Sequence, residues 1–74
     1  MDIYNNKIID SAIKSAYSKF PNIKYDREIH LKAYTEVLIA ICDKEISNLY
    51  AYAYTVALAT IKTQIEKEVF EKHD

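Results

Sequence analysis

Tyr50-Ala51-Tyr52-Ala53-Tyr54-Thr55-Val56-Ala57-Leu58-Ala59 alternates large and small side chains with a period of two, and its reading decides the fold. As a strand it would set Tyr50, Tyr52, Tyr54, Val56 and Leu58 on one side. A lone strand has no pairing partner in this chain, however, and alanine is the best helix former and is depleted in strands. The stretch is therefore read as helix. In that form Tyr50, Tyr54, Ala57, Leu58, Ile61, Ile65 and Val69 make an apolar stripe. Ala51, Thr55 and Ala59 make a parallel row of small side chains, of the kind that lets a second helix approach closely.

Upstream, Asp43-Lys44-Glu45-Ile46-Ser47-Asn48 contains neither proline nor glycine. Unbroken, it would fuse the flanking segments into one rod longer than globular helices reach without a coiled-coil heptad. Asp43 and Ser47 are good N-cap types and Asn48 tolerates left-handed geometry, so a break is expected here. In the segment before it, Ile29, Ala33, Val37, Ala40 and Ile41 form a helical stripe. Asp26 stands as its N-cap and Glu28 complements the dipole in the first turn. The run Val37 to Cys42 is apolar all round and predicts burial on most sides, Cys42 included as a small buried hydrophobe.

Phe20-Pro21-Asn22-Ile23-Lys24-Tyr25 is the one clear loop, because Pro21 disfavours α geometry at Phe20. Ahead of it Ile8, Ile9, Ala12, Ile13, Ala16 and Tyr17 recur at helical spacing, with Asp2 as the N-cap candidate. The expectation is an all-α fold of one helical domain spanning residues 1–74. It is a small three-helix bundle with helices at about 3–19, 26–43 and 46–72.

Composition narrows the functional classes. The 74 residues contain no glycine, which removes the Walker A loop, the dinucleotide fingerprint and the glycine-flanked nucleophile elbow. Net charge is −1, so no global field favours nucleic acid or anionic lipid. Arg27 is the only arginine among ten basic residues, and the abundance of Ile, Tyr, Lys and Asn points to an AT-rich genome such as that of a phage, a virus or a low-GC bacterium. The start of the chain lacks the basic-then-apolar pattern of a secretory signal. No segment is long and apolar enough to span a bilayer, so the expected location is cytoplasmic.

At this size, core burial and chain entropy nearly cancel, and some staple is needed. Cys42 alone closes no intrachain disulfide, and Cys42, His30 and His73 fall short of a zinc ligand set. Association is the staple that is left. The third helix outruns its neighbours, yet Ile65, Val69 and Phe70 stay apolar amid Lys62, Glu66, Lys67 and Glu68. An uncovered stripe marks an interface. The expected homo-oligomer surface is Tyr50, Tyr54, Leu58, Ile61, Ile65, Val69 and Phe70.

The constellations that invite chemistry are thin. His30 and Cys42 lie too far apart along one helix to meet. Asp26 and His30 are spaced i,i+4 but lack a third metal ligand, which reads as a cap beside a solvated histidine. Ser11-Ala12-Ile13-Lys14 matches the S-x-x-K string without the larger fold that chemistry needs. Tyr17, Lys19, Phe20, Lys24, Tyr25, Arg27 and Lys32 interleave bases and aromatics around the loop, a possible surface for nucleic acid or a phosphorylated small ligand. Seven tyrosines exceed what a core requires, and the surplus is assigned to interface. The expected protein is therefore no enzyme and carries no metal or cofactor. It acts by protein-protein interaction, as a small regulator, inhibitor or adaptor working through the helix faces of a homodimer or higher oligomer.

Overall fold

The break at residues 43–48 is present, and the chain folds as three helices packed together. The computed structural model describes residues 3–72, with side chains from 5 to 68. Helix α1 spans Ile3–Tyr17, α2 Arg27–Asp43 and α3 Leu49–Lys72, and no strand occurs among the described residues. Asp2 and His73 lie outside the described residues.

Each boundary has a local cause. The last turn of α1 tightens: Ser18, Lys19 and Phe20 donate from their backbone N–H groups to the carbonyls of Ser15, Ala16 and Tyr17 at 3.0–3.1 Å. These i→i+3 bonds end the α geometry at Tyr17, two residues before the expected limit at residue 19. Ile23 N–H then bonds the Phe20 carbonyl at 2.9 Å, a turn for which Pro21 supplies the required φ. Asp26 caps α2 from an extended conformation, its carboxylate accepting from Glu28 N–H at 2.8 Å.

The end of α2 is closed without glycine. Lys44 is extended (φ −152°, ψ 160°) and donates its N–H to the Ala40 carbonyl at 3.0 Å. No residue among those described has positive φ. Asn48, expected to serve by tolerating left-handed geometry, instead caps α3. Its side-chain carbonyl accepts from Ala51 N–H at 3.0 Å, so the helix begins at Leu49 rather than near residue 46.

The core is built from Ile9, Ala12, Ile13, Ala16 and Tyr17 of α1, Ile29, Ala33 and Val37 of α2, and Ala53, Ala57 and Ile61 of α3. Alanine fills many of these positions, which lets helix backbones come close. The row that faces inward on α3 is Ala53, Ala57 and Ile61; Ala51, Thr55 and Ala59, the small row expected to receive another helix, are exposed. Helix α3 carries most of the packing, against both neighbours, while α1 and α2 meet each other least. The radius of gyration is 13.0 Å with a longest extent of 43 Å. A rounded chain of this length would have about 11 Å. The 24-residue α3, about 36 Å long, sets the long dimension.

Candidate functional site

Two features of the packed helices stand apart from the alanine core. The first is a chain of hydrogen bonds between α1 and α2. His30 is 7% exposed, which corrects its reading as a solvated residue. Its Nε2 lies 2.8 Å from Asp10 Oδ1 and its Nδ1 2.7 Å from the Tyr25 hydroxyl. A carboxylate only accepts, so Nε2–H donates to Asp10 and, in the neutral ring, Nδ1 accepts from Tyr25. Tyr34 stacks on the His30 ring with centroids 6.4 Å apart and donates its hydroxyl to Asn6 Oδ1.

Tyr17 completes the chain. Its hydroxyl accepts from Asp26 N–H at 3.2 Å and donates to the Asp26 carbonyl at 3.3 Å, while its ring tilts against Tyr25 at 5.1 Å. Burial pushes the Tyr17 hydroxyl above its ordinary pKa; the hydrogen bonding to Asp26 opposes this, and the charges of Asp26 and Tyr25 add to it. Tyr34 is raised too, by burial first and by the negative Asp10 second. Asp26 and His30, spaced i,i+4, do not pair: the Asp26 carboxylate caps α2 as expected, on Glu28 N–H, and His30 turns to α1.

The second feature is the outward side of α2. At about 100° per residue, Leu31, Thr35, Leu38, Ile39 and Cys42 fall opposite the buried Ile29, Ala33, Val37 and Ala40. Leu31 is 52% and Ile39 58% exposed; Thr35 and Cys42 are exposed, and Leu38 is half-buried and packs in part against this chain's own core. The Thr35 hydroxyl donates to the Leu31 carbonyl at 2.8 Å, so its polar group is satisfied within the helix. No charged side chain interrupts this face between Leu31 and Cys42; Lys32 and Glu36 flank it, and a groove lined by Leu31, Lys32, Thr35, Glu36 and Gln64 runs beside it. The run Val37–Cys42 is thus not buried all round: Ile39 and Cys42 face out. It is apolar on both sides because α2 has two apolar faces and only one is covered in this chain.

The residues singled out from sequence scatter accordingly. Of the expected interface, Ile61 is fully buried in this chain's own core, and Tyr54, Leu58 and Ile65 are half-buried against it. Tyr50 is 43% exposed, but its hydroxyl donates to Ser15 Oγ at 2.6 Å and ties the first turn of α3 to α1. The side chains of Val69 and Phe70 lie outside the described residues. Around the loop Lys19, Lys24, Arg27 and Lys32 are exposed, whereas Tyr17 is buried, Phe20 is half-buried and the Tyr25 hydroxyl is taken by His30. Four of the seven tyrosines, Tyr17, Tyr25, Tyr34 and Tyr50, each bond across an element boundary within the chain. The sequence shows α2 to be apolar beyond one stripe but reads as burial on most sides, and His30 reads as solvated, so neither feature is found as a site from sequence.

Among the described residues no group of three or more His, Cys, Asp or Glu is placed to hold a metal ion, and no helix is long and apolar enough to cross a membrane. The fold defines the class, a small all-α three-helix protein with one uncovered apolar helix face. Compared with known proteins, the chain matches no family model, no curated protein and no solved structure.

Proposed function

We propose that this protein acts by protein-protein interaction, as a small regulator, inhibitor or adaptor without catalysis, and that α2 is the helix it presents. The observation that carries this is the uncharged outward face of α2, with Leu31 and Ile39 more than half exposed. Contiguous exposed apolar surface of this kind is costly in a monomer and is found where another protein docks. The homo-oligomer expected from sequence keeps its place in this reading, with its surface moved from α3 to α2. The polar chain around His30 supports the same role, since it orients α2 on α1 and every buried polar side-chain atom among the described residues has a partner.

The test is the size of the native complex in an extract of the cells that make the protein, followed by size exclusion. The paired change Leu31→Glu with Ile39→Glu is expected to release the chain from its complex. Lys19→Glu with Lys24→Glu is expected to leave the complex intact. The reverse pattern overturns the reading and moves the surface to the loop.

A further inference from the structure

Resting on that reading, we infer that the outward face of α2 docks a second copy of this chain, with the two α2 helices antiparallel. Leu31, Thr35, Leu38 and Cys42 are spaced four, three and four apart, the spacing of a coiled-coil seam. Along the seam they run large, small, large, small. Reversed, the order is small, large, small, large. An antiparallel copy centred between Glu36 and Val37 therefore seats each leucine against a small side chain, Leu31 on the partner's Cys42 and Leu38 on the partner's Thr35. The size order is self-complementary under a two-fold axis, which is what an isologous interface requires.

Charge selects the same orientation. Arg27 and Lys32 lie on opposite flanks of the seam and are five residues apart. In a parallel pair, opposite flanks face each other and this spacing brings Arg27 beside the partner's Lys32, twice by symmetry. In the antiparallel pair, like flanks face each other. Lys32 then falls about 3 Å along the axis from the partner's Asp43, again twice, and the helix dipoles oppose. One arrangement sets like charges together and the other sets unlike ones. The net charge of −1 per chain adds little repulsion between copies.

The orientation is read by cross-linking the full chain. A disulfide needs Cα atoms within about 7 Å, and two Cys42 residues of an antiparallel pair are about 16 Å apart along the axis. The purified protein is expected to sediment as a dimer at micromolar concentration and to give no disulfide dimer under mild oxidation. Leu31→Cys, which places a thiol opposite the partner's Cys42, is expected to cross-link nearly fully. Leu31→Cys combined with Cys42→Ala is expected not to cross-link. Leu31→Glu with Ile39→Glu, both at exposed positions, is expected to sediment as a helical monomer by circular dichroism.

A dimer that cross-links through native Cys42 overturns the antiparallel orientation while leaving α2 as the docking helix. A wild-type chain that stays monomeric overturns the second copy, and the extract experiment then decides separately whether α2 docks a different protein. A dimer that survives the double glutamate change overturns the use of α2 by a second copy.

Discussion

The contact of α1 with α3 and the contact of α1 with α2 are built from different materials. The first is dry: Ile9, Ala12, Ile13 and Ala16 lie in one core with Ala53, Ala57 and Ile61, all fully buried. The second adds polar bonds to that core: Ile29, Ala33 and Val37 of α2 share it, and beside them Asp10 meets His30, Asn6 meets Tyr34 and the Tyr17 hydroxyl bonds the Asp26 backbone at the N-cap of α2. Apolar contact is non-directional and contributes in proportion to area, whereas a hydrogen bond contributes little net free energy but fixes geometry. The α1–α3 contact is therefore assigned the stability of the fold, and the α1–α2 contact the position from which α2 presents its outer face.

This division is broken most directly at its apolar end. Ile13→Ala removes a fully buried side chain and is expected to cost about 2–5 kcal/mol, read from urea unfolding. A loss as small as that of a surface change would place the stability elsewhere. Ala57→Leu forces a larger side chain into a position with no exposure and is expected to cost about 1–3 kcal/mol by overpacking. Neutral tolerance there would mean that α1 and α3 are not closely packed.

At the polar end the effects are smaller. Tyr17→Phe keeps the ring and removes one hydroxyl, for an expected loss of about 0.5–1.5 kcal/mol. Asp10→Asn is expected to cost still less, because Asp10 is 47% exposed and its pairing with His30 is screened by water. Its informative readout is the amide spectrum of α2, which should shift along the His30–Tyr34 segment while the α3 signals hold still. Shifts spread evenly over all three helices would erase the distinction between the two contacts.

Alkaline titration sharpens it further. Tyr17 and Tyr34 both have pKa values raised from 10.0 in the folded chain. The unfolded chain thus releases these protons first, so their contribution is fully present below about pH 10 and is lost as pH rises through the raised values. Stability is expected to fall across that window, and Tyr17→Phe to fall less steeply there than the wild type. An equal slope in both would remove Tyr17 from the account.

Much of this architecture was legible in the residues. Pro21 fixes the turn that follows α1, Asp26 caps α2, and the break before α3 falls where polar cap residues cluster, because each of these acts over a few bonds of local backbone. The core of α1 was legible for a similar reason: Ile9, Ala12, Ile13, Ala16 and Tyr17 recur on one face at helical spacing. The phase of α3 was not. Alanines stand on two of its faces: the sequence pointed to Ala51, Thr55 and Ala59 for close packing, and only the packed neighbours chose Ala53, with Ala57 and Ile61 of the apolar stripe. The same degeneracy concealed the free face of α2, whose two apolar sides look alike until one is covered.

By itself, then, the sequence determined three helices, their approximate ends and the absence of glycine-built ligand loops, all consequences of short-range propensity, capping and periodicity. The tertiary structure alone decided that His30 meets Asp10 twenty residues away in sequence, that Ile61 belongs to this chain's interior, and that Leu31 and Ile39 face outward. Those outcomes depend on which surfaces compete for burial when three helices close on one another. A helix with two apolar faces can state that competition in its sequence, but only its neighbours resolve it.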